Sequence, residues 1–458
     1  MPSKQTWALL AAGTAAVVTL VGAGAVLVGQ APTSTMKITG TDDRTPGLAW
    51  SLSAADYLGR PWAQFFDPRG GVMFPDGSAA AISVDDTLVV AAGVNRDGYS
   101  LEDPVMLGID ASDGTVLWQQ PATGIEQCGN EPLDGKVVCY ASGDAYEIVS
   151  YEAASGNVLR TPVEELVFAV TVADDTLYVV EGNAEDYDVR VHAGTPEDIS
   201  SKWVQQYEAG GAWEEVFSGA FLTVADGVGL VGTAWQGATF DTATGAELFG
   251  GNPAECVTSS TLVAGPAVAQ TQVDCETYDM ITEVLRRPDG RIVATDVTGV
   301  PQTPRLYKPV GEGVPVVIGS SGYDPTTGEK IWTNPDLLGD FDGTRYPTLV
   351  AVVGTVGYVE DSTADVALGI DLRTGSEMWR RDLAGSFIPS GHSGTTLVGD
   401  DGRAIVAVDI ETGNRLWEAP FEAIDTDPDL YWSGTTTPTD IGWVHVSSDR
   451  MLGLTPLD

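Results

Sequence analysis

Six times the chain repeats one short pattern: an acidic residue, three spacers, a Gly, and a position four residues on that is usually aromatic. Five copies are complete. They run from Asp110 to Gly114 with Trp118, Asp241 to Gly245 with Phe249, and Asp324 to Gly328 with Trp332, then Asp371 to Gly375 with Trp379 and Asp409 to Gly413 with Trp417. A sixth, Glu152 to Gly156, carries Arg160 in the aromatic place. The glycines are 42, 89, 83, 47 and 38 residues apart, so each long gap has room for one degenerate copy. A period near 42 residues means one supersecondary unit, stacked because no single copy buries its own apolar face.

Short runs rich in β-branched and aromatic residues flank each copy, as at 404–408 and 415–417. The acid can cap backbone N–H groups two or three residues on, and Gly accepts positive φ without a Cβ clash. Each copy therefore reads as a hairpin. Two more strands precede it: 80–84 and 87–91 joined at Asp85-Asp86 in one unit, 168–172 and 176–180 joined at Asp174-Asp175 in another. Four short antiparallel strands per unit describe a propeller blade. The 54 glycines, and the lack of helical apolar spacing beyond the N-terminus, exclude a helical solenoid.

The degenerate copies are expected at 187–207, with a turn from Gly194 to Asp198 and Trp203, and at 283–295, with Pro288-Asp289-Gly290. That makes eight hairpins. The C-terminal runs 442–446 and 450–454 stop before an outer strand, and 47–52, with Trp50, supplies it. The expectation is an all-β chain forming a single propeller of about eight four-stranded blades, with seven to nine allowed. Residues 46–52 should pair with 450–456 and latch the ring. The stretch 250–331 lacks a clear copy before Asp324, and its prolines read as a linker-like insertion.

The Asp-x-x-Thr-Gly-x-x-x-Trp pattern resembles the repeats of the pyrroloquinoline-quinone-like (PQQ-like) β-propeller superfamily, over nearly all of 46–458. The resemblance implies that the repeat aromatic wedges against the neighbouring blade near its Gly. Trp118, Phe249, Trp332, Trp379 and Trp417 would then be blade-docking residues. The superfamily holds quinoprotein dehydrogenases and also non-enzymatic scaffolds, among them the propeller lipoprotein of the outer-membrane barrel assembly machinery. Fold alone does not choose between these functions.

A uniform repeat makes one closed ring of most of the 458 residues. The net charge of -42 repels nucleic acid and anionic headgroups and attracts basic partners. Residues 7–29 contain no charge and are long enough to span hydrocarbon as a helix. Lys4 before them orients the span with its N-terminus inside. The expected organisation is a cytoplasmic tail over 1–6, a transmembrane signal-anchor over 7–29, a polar linker over 30–45 and an extracytoplasmic propeller over 46–458. The alternative is secretion after cleavage, with Ala23-Gly24-Ala25 as the small-x-small site. Cys128 and Cys139 bracket one turn, and Cys256 and Cys275 lie together further on. Even count, local spacing and an export segment predict two disulfides, Cys128–Cys139 and Cys256–Cys275.

The chemistry of a catalytic site is not legible. His192, His392 and His445 fall in unrelated repeats with no evident nucleophile beside them, and His392 reads as a surface loop residue. The Asp residues of the repeat are accounted for as turn caps. Quinone enzymes typically carry adjacent cysteines, and none are adjacent here. Asp425, Asp427 and Asp429 alternate as ligands of a hard cation do, but Leu430 and Thr436 stand where a calcium loop needs Gly and Glu. The expectation is therefore no cofactor, no metal and no catalytic residue. The leading function is a membrane-anchored scaffold binding a protein or cell-envelope component, using uneven loops such as 60–67 and 425–432. The alternatives are a quinone-dependent oxidoreductase and a cell-wall or carbohydrate-binding module.

Overall fold

Two-residue turns such as Asp174-Asp175, at φ 47° and 52°, fold each strand back on the one before it. Short polar residues tolerate this left-handed backbone best after Gly. In the computed structural model these turns organise residues 35–457, described apart from short stretches of which the longest is 208–220. The N-terminal segment 1–34, with the span expected over 7–29, lies outside the described residues. Among those described, no helix is long and apolar enough to cross a membrane.

The described strands form nine sheets, arranged as consecutive blades of a propeller ring. In chain order they cover 63–121, 125–163, 166–207, 221–250, 257–296, 316–333, 347–382, 388–420 and 434–455. The ninth takes its outer strand from Gly47–Ser53, which pairs antiparallel with Arg450–Thr455 from Gly47↔Thr455 to Ser53↔Arg450. Both chain ends therefore share one blade. Nine is the upper end of the range read from the sequence, because Trp50 closes a separate blade and both degenerate copies exist.

The apolar core lies between blades. Trp118, Val89 and Met106 of blade one, for example, form one cluster with Ile125, Cys139 and Tyr151 of blade two. A blade is apolar on both faces, so it is stable only when both neighbours are present.

Blade six departs from the repeat, and it falls in the stretch expected to be an insertion. It has three strands; the segment that would be its inner strand, Arg305–Val310, pairs in parallel with Pro347–Gly354 of blade seven. The pairing slips between Tyr307 and Val310, around Pro309, which has no N–H to give to a ladder. Gln302 closes part of the gap: its side chain accepts from Leu349 N at 2.7 Å and donates to Pro347 O at 3.3 Å. Glu283 of blade five accepts Gly319 N of blade six at 2.6 Å and Gln302 N at 3.4 Å. One buried carboxylate thus joins blade five to the irregular region.

Residues 36–45, expected within a polar linker over 30–45, are packed on the ring. Met36 bridges to Leu48, Ile38 and Thr45 are 4% and 1% exposed, and Thr45 Oγ1 donates to Glu418 O at 3.0 Å. The segment carries apolar Ile38 among its polar residues, and Ile38 finds apolar surface at the seam, while Met36 stays 58% exposed.

Candidate binding surface at the seam

The repeat pattern builds one interlock several times over. The ring of Trp118 lies on Gly156, Phe249 on Gly290, Trp332 on Gly375 and Trp379 on Gly413 of the following blade. Trp50 and Trp203 do the same on Gly114 and Gly245. In five cases the indole N–H donates to the carbonyl just after the turn acid: Trp50 to Ala111, Trp118 to Ala153, Trp203 to Thr242, Trp332 to Leu372 and Trp379 to Ile410, at 2.5–3.0 Å. The turn acids cap their own loops. Asp110, Asp241, Asp324, Asp371 and Asp409 accept from Ser112 N, Thr244 N, Thr327 N, Arg373 N and Thr412 N at 2.7–2.9 Å. Those bonds, with Thr327 first, hold the Asp324 carboxyl below its usual range. Gly328 differs, since it faces the carbonyl of Val293 where an aromatic would stand.

A second glycine was present in the sequence but not read. Gly108, Gly322, Gly369 and Gly453 sit opposite the wedge on the neighbouring strand, and a Cβ there would lie 2.1–2.3 Å from the indole. Each indole is clamped between two glycines, one of its own blade and one of the next. The legible signal was Gly two residues before the turn acid in three of these blades. Trp417 stands apart. Its cross-strand partner is Ala407 and it is half-buried. The turn beyond it comes from the other side of the seam, in residues 36–45, where Asp42 accepts from Arg44 N at 2.9 Å and Thr45 N at 3.1 Å.

Cys128 and Cys139, a cross-strand pair, are joined in a disulfide. Cys275 is disulfide-bonded as well, while Cys256 lies outside the described residues. The histidines are not surface residues. His445 is 0% exposed with Nδ1 2.9 Å from Thr436 Oγ1, and His392 lies in the strand Ile388–Ser393 with its ring 4.9 Å from Tyr307. His192 does have a nucleophile beside it, which the sequence hid. Its Nδ1 is 2.8 Å from Ser200 Oγ and its Nε2 3.0 Å from Glu181 Oε1. Ser200 N and Ser201 N are already bonded to Asp198, so neither faces a developing oxyanion. Asp425 accepts from Asp427 N at 3.1 Å and pairs with Arg450 at 2.9 Å, while Asp429 and Leu430 lie outside the described residues.

The connections on either side of the ninth blade share one face of the ring. Connections from an outer strand to the next inner strand all emerge on one face of a propeller. The segment after blade eight carries the helix Phe421–Ile424, and the segment after blade nine the helix Ala54–Leu58, so the two flank the seam on one face. In 60–67 the aromatics divide. Phe65 and Phe66 are buried at 0% and 2% exposure, whereas Trp62 is 84% exposed.

Trp62 also has φ 69°, a left-handed backbone that costs a bulky residue about 1–3 kcal/mol. A clamp imposes it. Arg60 N donates to Ala55 O and Ala63 N to Arg60 O, both at 3.2 Å, and the Arg60 guanidinium donates to Glu102 O at 3.1 Å. That guanidinium also lies 3.5 Å from the Glu102 carboxylate and 3.7 Å from Asp103. Asp103, itself at φ 45°, leaves its carboxylate 84% exposed on the same corner. The result is a fixed, solvent-facing indole beside exposed acid.

The sequence profile of the outer membrane protein assembly factor BamB matches residues 102–274 and 319–426, more than half the chain. No curated protein matches it by sequence. Similar solved structures include BamB from Moraxella catarrhalis, 14% identical over 76% of this chain and 97% of that one, with a TM-score of 0.39. The computationally designed Ika8 protein is 13% identical over 85% and 99%, with a TM-score of 0.47. The dihydro-heme d1 dehydrogenase NirN is 10% identical over 78% and 72%, with a TM-score of 0.44.

Proposed function

The chain belongs to the family of the outer membrane protein assembly factor BamB, and we propose that it is a non-enzymatic scaffold holding a protein partner on the face around Trp62. The observation that carries this reading is the strained, 84% exposed indole. A large rigid aromatic displayed against its backbone preference is the kind of side chain that dominates binding energy at an interface. Its neighbours define the partner's chemistry. Exposed Asp103 and half-exposed Glu102, on a chain of net charge -42, attract a Lys- or Arg-bearing segment. Such a cation can stack on the indole while pairing with the acids.

In this reading residues 7–29, without a charge, hold the ring at the outer side of the cell membrane. Residues 36–45 carry the connection to the seam blade at the opposite end of its outer strand, so the proposed surface is turned away from the point of attachment.

A photo-crosslinking residue at position 62 of the full chain, irradiated in intact cells, tests the proposal. Mass spectrometry is expected to find one dominant partner, joined through a basic segment, and lost when Asp103→Lys and Glu102→Lys are added. If position 62 captures nothing beyond what Glu411 captures from a turn on the other face, the proposal fails.

A further inference from the structure

We infer that Ser200 is an activated nucleophile, a site at which the chain accepts an acyl group from an activated ester. In most blades an acid, three spacers and a glycine join the third and outer strands, but blade three uses a longer turn between Asp188–Gly194 and Trp203–Tyr207. Asp198 caps that turn by accepting from Ser200 N at 3.1 Å, which holds Ser200 beside His192. His192 Nδ1 lies 2.8 Å from Ser200 Oγ, and its Nε2 lies 3.0 Å from Glu181 Oε1 of the neighbouring strand Thr176–Asn183. Glu181 sits diagonally from His192 across that ladder, in which Glu181 pairs with Arg190 and Val179 with His192. A hydroxyl, a base and an acid that faces the base thus form one connected series, the arrangement that marks a primed nucleophile.

Burial divides their tasks. His192 and Glu181 are 6% and 4% exposed, whereas Ser200 is exposed. A carboxylate 3.0 Å from Nε2 favours the neutral tautomer with its hydrogen there, which leaves Nδ1 to accept from the Ser200 hydroxyl. The Nε2 contact is at ion-pair distance but is not an aligned hydrogen bond, so Glu181 acts through its charge, on the imidazolium that forms. Arg190 lies 3.6 Å from the same carboxylate and balances it in the buried site. In the transfer, Ser200 Oγ attacks the carbonyl carbon and the C–O bond to the leaving group breaks. The Ser200 proton passes through Nδ1 to the departing oxygen, and nothing is oxidised or reduced. The reaction then stops at acyl-Ser200. Ser200 N and Ser201 N are held by Asp198, so neither stabilises the oxyanion that hydrolysis of an ordinary alkyl ester needs. A single acyl transfer is compatible with a scaffold that has no turnover. The site shares no residue with the Trp62 surface, so either proposal can fail alone.

The test adds para-nitrophenyl acetate to the full chain, follows the nitrophenolate released, and locates the acetyl group by peptide mass spectrometry. A single burst is expected, with the acetyl group on Ser200, and Ser200→Ala should remove it. His192→Asn keeps an acceptor near the place of Nδ1 but cannot take the proton. It should slow acetylation at least about a hundredfold, the scale of general-base help. Ser201, exposed beside Ser200 and with no histidine bonded to it among the described residues, is the comparison within the unaltered chain. It decides the matter even if His192→Asn fails to fold. Acetylation of Ser200 no faster than of Ser201, or a folded His192→Asn chain that reacts as fast as the unaltered one, overturns the inference.

Discussion

Trp379 and Gly413 touch across the boundary between blades seven and eight so closely that a Cβ on the glycine would lie 2.4 Å from the ring. The indole N–H donates to Ile410 O at 2.8 Å, and Gly413 holds φ 68°. Three demands meet at one point: no side chain on the glycine, a left-handed backbone, and a donor aimed at a turn carbonyl. The same relation repeats around the ring, so it sets the spacing between blades.

Trp379→Ala should cost about 3–5 kcal/mol, the usual loss for a large buried aromatic. Gly413→Ala should cost at least about 2 kcal/mol, since clash and backbone strain add. His392→Ala, which removes one ring contact with Tyr307, should cost only about 1 kcal/mol. Denaturant unfolding of the three variants checks this order. If Gly413→Ala is no worse than His392→Ala, the interlock is not what holds the blades.

Glu283 predicts an unusual pH dependence. Burial first, and the Asp296 carboxylate last, raise its pKa from 4.5 to about 7 against the opposing bonds from Gly319 and Gln302. The folded chain then holds this proton more tightly than the unfolded one. The contribution is fully present below pH 4.5 and is lost as pH rises through about 7. It amounts to about 3 kcal/mol between those limits. Comparing unfolding at pH 5 and pH 8, Glu283→Gln should lose less stability than the unaltered chain. Parallel behaviour would show that Glu283 does not titrate in this range.

Removing residues 1–34 should leave the ring's melting temperature unchanged. Removing 1–45 also takes away Ile38 and Thr45 and uncovers Trp417, at about 2–4 kcal/mol. Removing 1–53 takes the outer strand of blade nine, and cooperative unfolding should be lost. Calorimetry on the three truncations separates strap from latch. Equal melting for the first two would mean that 36–45 adds nothing to stability.

Trp62→Gly should raise stability by about 1 kcal/mol, because Gly accepts φ 69° without strain. The same change should abolish crosslinking or capture of the partner. A stabilised variant that still binds would remove Trp62 from the interface, whereas a destabilised one would show the indole to be structural.

Turns and wedges were legible because their chemistry is local. An acid capping N–H groups two or three residues on, a glycine at positive φ and an aromatic four residues further act within nine positions, and Asp409 to Trp417 states the whole unit. Pairing within Cys128–Cys139 was legible for the same reason. The sequence also implied that 47–52 must complete the final blade, because an outer strand was missing there.

Only the tertiary structure decided what depends on partners far apart in the chain. Arg305–Val310 falls in the stretch whose prolines read as an insertion, and its parallel union with Pro347–Gly354 joins residues far apart in the chain. Trp62, Phe65 and Phe66 are equally apolar neighbours, yet backbone geometry at the closing corner buries two and presents the third. Ser200 reaches His192 only because a turn folds one strand onto the next. Trp417 carries the same local pattern as Trp379, yet what packs beside it is residues 36–45, brought there by the closure of the ring. Local pattern fixes the conformation of a unit, but a closed ring must put its two ends somewhere, and at that seam global geometry sets which groups are buried and which face a partner.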